Sequence, residues 1–343
     1  MTSPTRYPLQ RLVQLLALAA CCIVLVSCGT RKTSDTEGAD SAGKVWKLSL
    51  IKYEDLRQTE DAEKGLLAGL RDLGLVEGKD FTVSIRSAQG DIPTVNSLID
   101  AVNTDGTDLL VSLQTATLHT AIKRTKRLPI VFMVVAYPFV ISDVGVNDSI
   151  HHSFVTGVYS QTTFDSMIGH IKTAMPKVKR LGTLFSTSEL NSVYYKSQLH
   201  AACNKAGIEL ETFGVNARAD VSQAMQALCT KNIDAICQIE DNLTSATFQT
   251  ITQTATRHKL PVFSFENSQI RKGSSIVYAP DYFESAKSAA SMIARIMKGE
   301  KPEQIPFERI TRFHLRINES SARQVGLTIP DALRAAADEV IAE

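Results

Sequence analysis

Surplus charge of either sign, aromatic rings, cysteine and catalytic signatures are all scarce in this chain. Its 343 residues carry 37 basic against 36 acidic side chains, so no excess charge is available to follow a phosphate backbone. No basic run studded with aromatics stands out either, and a nucleic-acid partner is not expected. Only 6% of the residues are aromatic, with Trp46 the single tryptophan. There is no Gly-x-Ser-x-Gly elbow, no Gly-x-Gly-x-x-Gly fingerprint and no His-Glu-x-x-His helix, which leaves an enzyme reading without an anchor. Gly38 to Val45 falls one residue short of a phosphate loop, because Val45 stands where Ser or Thr is required and no strand precedes it. His151-His152 has no further His, Cys or carboxylate spaced to complete the three or four ligands of a zinc site. A solvated loop pair is expected there, with no metal and no other cofactor. Of six cysteines, only Cys203, Cys229 and Cys237 lie beyond residue 28. Three thiols allow at most one bridge and no disulfide framework. Buried thiols are the default, with a Cys229 to Cys237 bridge left open.

Long apolar runs are lacking too. The run from Leu12 to Val26 spans 15 residues, short of the ~20 that cross a bilayer as a helix. With Arg6 and Arg11 ahead of it, it reads as the core of a signal peptide. It ends in Leu25-Val26-Ser27-Cys28-Gly29, which resembles the bacterial lipobox and implies that Cys28 is lipidated and becomes the mature N-terminus. A rival box at Leu18-Ala19-Ala20-Cys21 would leave Ile23-Val24-Leu25-Val26 near the new terminus and shorten the apolar core, so Cys28 is assigned. Thr30 to Gly43, rich in Ser, Thr, Gly, Asp and Lys without periodicity, reads as a flexible tether.

What the chain does have is a duplication. Val95-Asn96-Ser97-Leu98-Ile99-Asp100-Ala101-Val102 leads to Thr104 and Asp108 and closes on Leu128-Pro129-Ile130-Val131-Phe132. Val221-Ser222-Gln223-Ala224-Met225-Gln226-Ala227-Leu228 leads to Thr230 and Asp234 and closes on Leu260-Pro261-Val262-Phe263, with Val, Ala, Thr and Asp at the same offsets. Each copy follows a helix pattern stopped by a glycine, Gly74 or Gly207. Two compact units in succession leave a crevice between them, where small molecules bind.

Periodicity fills in both units. The first reads as strands Val45 to Lys52, Phe81 to Ile85, Asp108 to Leu113 and Pro129 to Val135. Between them fall a helix ending at Leu73, a second capped by Asp91 with Pro93 in its first turn, and a third from Thr117 to Lys126. The second unit reads as strands Arg180 to Phe185, Ile208 to Phe213, Ile233 to Ile239, Pro261 to Phe265 and Ser275 to Tyr278. Its helices run Thr163 to Met175, Asn191 to Ala206, Val221 to Thr230 and Thr244 to His258. Helix Tyr282 to Lys298 and a strand near Phe307 to Phe313 remain over. Strands alternating with helices of this length imply parallel sheets with helices on both faces, a doubly wound α/β fold formed twice.

In such sheets ligands bind beyond the carboxyl ends of the strands. Those loops are Tyr53-Glu54, Gln114-Thr115-Ala116, Ala136-Tyr137-Pro138, Ser186 to Ser192, Glu240-Asp241-Asn242 and Glu266-Asn267. Free N–H groups at helix starts suit a carboxylate, which makes Thr115 and Asn191-Ser192 candidates. Asp241 or Glu189 suits an ammonium, with Gln114 and Asn242 beside them. Helix capping alone accounts equally well for each residue. Tyr137, next to Pro138, is the aromatic pocket candidate, whereas Phe265 and Tyr278 suit core packing.

From about Lys47 to Pro330 the chain resembles the substrate-binding proteins of ABC transporters, in the branch whose better-known members bind aromatic amino acids. The resemblance rests on Leu73-Gly74-Leu75-Val76-Glu77-Gly78-Lys79-Asp80, Ala88-Gln89-Gly90-Asp91, Pro129-Ile130-Val131-Phe132 and Val155-Thr156-Gly157-Val158. It continues through Glu189-Leu190-Asn191-Ser192, Asp241-Asn242, Lys272-Gly273 and Asn318 with Ala322, Gly326 and Pro330. It implies a type I periplasmic-binding fold of two lobes crossed three times by the chain, with Thr115, Glu189, Asn191, Ser192 and Asp241 at the cleft. Two departures bear on the ligand. Thr115-Ala116-Thr117 stands for the family's Thr-Pro-Ala, and Tyr137-Pro138 for its Asp-Pro, which removes an acidic group beside the pocket.

The combined expectation places a signal peptide in residues 1–27, and the lipidated cysteine and tether in 28–44. It places lobe 1 in 45–155 with 281–306, and lobe 2 in 156–280 with 307–343. The protein is expected to be a monomer, anchored outside the cytoplasm, that captures a small solute such as an amino acid between its lobes. It would deliver that solute to an ABC permease driven by a separate ATPase subunit. A sensory module reporting to a receptor would share the fold, and an exported enzyme is the third reading.

Overall fold

Apolar strand segments alternating with amphipathic helices assemble into two sheets in the computed structural model, which describes residues 43–342. The signal peptide, Cys21, Cys28 and the tether through residue 42 lie outside the described residues. In the first lobe β1 (Trp46–Lys52), β2 (Phe81–Ser87), β3 (Leu109–Leu113) and β4 (Ile130–Val135) are connected by α1 (Arg57–Asp72), α2 (Ile92–Val102) and α3 (Thr115–Arg124). They pair in parallel in the order β2-β1-β3-β4. A hairpin of β5 (Gly145–Asn147) and β6 (Ile150–His151) then leads into β7 (Val155–Tyr159), which joins the sheet beside β4.

After α4 (Phe164–Ala174) the second lobe repeats the plan with β8 (Arg180–Ser186), β9 (Glu209–Val215), β10 (Ala235–Gln238), β11 (Val262–Ser264) and β12 (Ile276–Pro280). Its connecting helices are α5 (Leu190–Ala206), α6 (Val221–Cys229), α7 (Asn242–Ala246) and α8 (Phe248–Arg257). The remaining chain forms α9 (Tyr282–Met297), β13 (Glu308–Arg309), β14 (Phe313–Asn318), α10 (Glu319–Gln324), α11 (Asp331–Ala336) and β15 (Glu339–Ile341).

Each sheet lies between two helical layers. In lobe 1, Leu66 and Leu70 of α1 and Ala289 and Ile293 of α9 cover one face, while Val95, Ile99 and Leu118 of α2 and α3 cover the other. In lobe 2, Met167, Ile171 and Leu199 lie on one side and Met225, Leu228 and Ile251 on the other. Burying both faces explains why the strands read as nearly continuous apolar runs. The helix boundaries follow local chemistry. Asp91 accepts from the Thr94 N–H at 2.8 Å, and α1 and α5 are followed by Gly74 and Gly207 at φ +79° and +73°, left-handed turns that cost glycine little.

The duplicated residues perform matched work. Asp108 accepts from the Lys47 N–H at 2.8 Å, and Asp234 accepts from the Lys179 and Arg180 N–H groups at 2.7 and 2.8 Å. Each thereby ties the start of β3 or β10 to the neighbouring β1 or β8. The hydroxyls of Thr104 and Thr230 donate to Ala101 and Ala227 at 3.1 and 2.7 Å.

Several sequence expectations need correction. Residues 156–159 belong to lobe 1, because β7 covers the edge of β4 with Val155, Val158 and Tyr159 all buried. Residues 308–309 also belong there, since β13 pairs with β7; the first and last crossings fall after Tyr159 and after Arg309. The second sheet is not wholly parallel, as β14 runs antiparallel to β12. The segment Thr244 to His258 is broken at Thr247, whose hydroxyl turns back to the Leu243 carbonyl at 2.8 Å. His151 is no solvated loop residue, because its ring stacks on Phe307 with centroids 4.2 Å apart. Cys203, Cys229 and Cys237 are all unbridged.

The return of α9 to lobe 1 has a steric cause. Gly65 and Gly69 let α1 and α9 touch backbone to backbone, and a Cβ at Gly65 would stand 2.1 Å from the Phe283 carbonyl oxygen.

Candidate functional site

The loops that follow β3 and β10 carry Gln114 and Glu240, each six residues beyond its matched aspartate. These equivalent loops meet. The Gln114 Nε2 donates to Asn242 Oδ1 at 2.7 Å across the lobes, while Gln114 Oε1 accepts from the Tyr53 and Glu54 N–H groups at 2.9 Å each. Tyr282, which opens α9 in lobe 1, donates from its hydroxyl to the Glu240 carboxylate at 3.0 Å. Elsewhere between the lobes, Arg218 pairs with Glu54 at 2.6 Å, and the rings of Tyr137 and Tyr194 stack 4.8 Å apart. The lobes are thus drawn together by contacts that run between strand-end loops.

Between them lies a cavity lined by Gln58, Gln114, Thr115, Val134, Ala136, Ser160, Asn191, Tyr195, Glu240, Asp241, Asn242 and Tyr282. Its volume is about 20 Å³, no more than a water molecule fills. An amino-acid-sized solute therefore needs the lobes to part before it enters. Two lining residues hold unusual backbone angles, Gln114 at φ +72° and the β-branched Val134 at φ +56°. Val134 sits where the β4 register shifts. Left-handed geometry at such residues costs on the order of 1–3 kcal/mol and collects at ligand clamps.

Among the described residues, no Lys or Arg lines the cavity. Its carboxylates come from lobe 2, and their partners differ. Asp241 is saturated: Oδ1 accepts from the Thr244 N–H and hydroxyl at 2.7 Å each, and Oδ2 from the Ser192 hydroxyl at 2.6 Å and the Ser186 N–H at 3.2 Å. Ser192, bound to Asp241, also accepts from the Ser186 N–H at 2.8 Å. Glu189 accepts from the Asn242 and Leu243 N–H groups at 2.9 and 3.0 Å and from Asn242 Nδ2 at 2.6 Å. It thereby occupies the start of α7. Glu240 has Tyr282 as its side-chain donor. Glu266, behind it, accepts from Gln269 at 3.2 Å and from the Ser268 hydroxyl.

Burial raises all four acids. Glu240 is pushed up to about 8 by burial, with the charges of Glu266 and Asp241 adding to it against the Tyr282 hydrogen bond. Glu189 rises to about 7 by burial and the Asp241 charge, against the donors of Asn242 and Leu243. Asp241 and Glu266 rise for the same first reason. Acids with folded pKa values above their unfolded values take up protons on folding, so stability falls as pH rises between the two. For Glu240 that window runs from the ordinary 4.5 to about 8. The melting midpoint is expected to climb on acidification from pH 8.5 to 5.5, and less so in Glu240→Gln; a flat profile in the wild type would contradict the burial of these acids.

A larger groove of about 700 Å³ shares Tyr282 with the cavity and is rich in cations. Four of its five basic side chains have acidic partners, and Lys272 has no ion pair among the described residues. Arg57 pairs with Asp61 at 3.1 Å, His314 with Asp281 at 3.0 Å, and Arg271 and Arg316 both with Glu339. The groove is thus a partly neutralised face, and the small polar cavity between the lobes is the better candidate.

Residues 56–341 match the family model for ABC transporter substrate binding proteins. The chain belongs to this family. This substrate-binding protein is 24% identical over 301 residues to a tyrosine-binding protein of Clostridioides difficile (strain R20291), covering 87% of this chain and 86% of that one. Among solved structures, a conserved domain protein from Vibrio cholerae O1 biovar El Tor is 28% identical with a TM-score of 0.83, covering 87% of this chain and 100% of its own. An ABC domain in complex with L-Trp from Streptococcus pneumonia is 24% identical with the same TM-score of 0.83 and the same coverage, 87% and 100%. These likenesses establish the two-lobed type I binding-protein fold.

Of the residues singled out from sequence, Gln114, Thr115, Asn191, Asp241 and Asn242 line the cavity of this substrate-binding protein. Ser192 and Glu189 hold Asp241 and Asn242 in place. Tyr137 is not among the lining residues; it packs in an aromatic cluster with Phe139, Tyr159 and Tyr194. Sequence reasoning placed Glu240 on a strand-end loop without a role and passed over Gln58, Val134, Ser160, Tyr195 and Tyr282. Glu240 was findable, since it stands at the offset of Gln114, whereas Gln58 and Tyr282 reach the site through helix packing that no local pattern reveals.

Proposed function

We propose that this chain is an extracytoplasmic lipoprotein, anchored through Cys28, that captures a small solute of the amino-acid class and presents it to an ABC permease driven by a separate ATPase. One observation carries the reading: the equivalent strand-end loops of the two lobes meet, through Gln114 and Asn242, around a small polar cavity lined from both lobes. Contacts from both lobes exist together only in the closed form, so a ligand that bridges them favours closure. The names of the tyrosine-binding relative and the L-Trp complex support amino acids as the class. In this reading Thr115 and the free N–H groups at the start of α3 face the ligand's carboxylate, while Gln114, Asn191 and Asn242 fix its orientation. Glu189, Ser192 and Asp241 brace the loop that carries Asn242, and Tyr137 closes over the bound solute. Calorimetry and thermal-shift screening against amino acids, sugars and other small solutes test it. Saturation at a hundred times Kd is expected to stabilise the protein by about 2.7 kcal/mol; no stabilisation by any class would end the proposal.

A further inference from the structure

We propose that Glu240 and Gln58 form a receptor for a cationic amine, which makes the amine the obligatory feature of the ligand and its carboxylate a dispensable one. This rests on the solute-binding reading above and specifies what that cleft takes. Acidic residues alone do not make a site, but here a second observation points the same way. Gln58, at the start of α1 in lobe 1, is 4% exposed and lines the cavity, and its Oε1 has no hydrogen-bond donor among the described residues. A buried acceptor left without a donor is costly and rare. Glu240, which lines the same cavity from lobe 2, has Tyr282 as its side-chain donor, leaving acceptor capacity on both carboxylate oxygens. The lining thus presents acceptors from both lobes and no Lys or Arg to meet an anion.

The other acids do not compete for this role. Asp241 has four donors and Glu189 three, all from within lobe 2. An ammonium between Gln58 and Glu240 would be gripped by both lobes at once, replacing the Tyr282 contact as the link between them. The groups that face Glu240 are Tyr282 from α9, Tyr195 from α5, the adjacent Asp241, and Glu266 beyond β11, which in turn faces Lys272 and Asp61. Lys272 acts on Glu266, so the cavity itself keeps an uncompensated acidic wall. Glu240 carries a proton when free near neutral pH; as the cation binds, that proton leaves to solvent and the carboxylate forms the ion pair.

The test uses the purified full-length chain and three matched probe sets: L-tyrosine and L-tryptophan, their decarboxylated amines tyramine and tryptamine, and their deaminated acids. Deaminated acids are expected to bind at least about 100-fold more weakly than the amines, and the amines within about tenfold of the amino acids. Glu240→Gln and Gln58→Leu should each weaken the amines by about 10–100-fold, the range of a hydrogen bond to a charged group. Both variants should melt cooperatively without ligand. Calorimetry in two buffers of different ionisation enthalpy should show proton release on amine binding, lost in Glu240→Gln. Deaminated acids that bind as tightly as the amines, or a Glu240→Gln variant with wild-type amine affinity, would overturn the receptor while leaving solute capture intact. If no probe binds but another solute class does, the receptor fails alone; if no solute of any class binds, the solute-binding reading fails with it.

Discussion

Asp241→Ala is expected to destabilise the second lobe by about 3 kcal/mol and to lower the melting midpoint by roughly 6–10 °C. The side chain gathers four hydrogen bonds, from the Ser186 N–H, the Ser192 hydroxyl and the Thr244 N–H and hydroxyl. Asp241 and Ser192 are both at most 2% exposed, so water cannot take over those donors without opening the loop. Each orphaned buried donor costs about 1–3 kcal/mol. Release of a buried carboxylate returns part of that sum, since burial disfavours its charge. The donors outnumber the charge, and the loss wins. Asp241→Asn keeps an acceptor for Thr244 but turns an amide N–H₂ toward Ser186 and Ser192, so it is expected to fall between alanine and wild type. A melting midpoint for Asp241→Ala within a degree of wild type would refute the capping role.

Gln114→Ala is expected to release the lobes from one another. That side chain satisfies two N–H groups of the loop after β1 and reaches across to Asn242, whose amide in turn holds Glu189. Alanine removes the crossing bond and leaves the Tyr53 and Glu54 N–H groups without their acceptor, at about 2–4 kcal/mol in the closed form. Parted lobes return those groups to water, so the loss falls mostly on closure. Small-angle scattering of the ligand-free variant should give a larger radius of gyration than wild type, and solute affinity should drop by at least about tenfold. Gln114→Glu separates the two effects. It keeps the acceptor for Tyr53 and Glu54 but faces Asn242 Oδ1 with another oxygen and adds a charge near Glu189. It should open the lobes above neutral pH with the first loop intact. Unchanged scattering in both variants would show that the contact does not govern closure.

Much of the fold was legible because parallel strands buried on both faces and helices of ten or more residues leave strong periodic marks. The matched Asp108 and Asp234 are legible too, since each sits just before a strand and ties it to its neighbour. The strands that complete the first sheet were not. β13 is only two residues long, and the places of β7 and β13 depend on the open edges of β4 and β7 that they meet rather than on their own residues. The break at Thr247 was hidden because apolar periodicity runs across it from Leu243 to Ile251.

By itself the sequence determined two doubly wound units, the equivalence of the loops at Gln114 and Glu240, and the polar character of the strand ends. Periodicity and offset record such features directly. Which carboxylate is saturated and which keeps acceptor capacity was decided only by the tertiary structure. Asp241 and Glu240 are neighbours with the same charge, yet Ser186, Ser192 and Thr244 converge on one while the other meets Tyr282 from the opposite lobe. Desolvation and hydrogen-bond satisfaction depend on groups remote in sequence, and those groups separate a helix cap from a residue poised for a ligand.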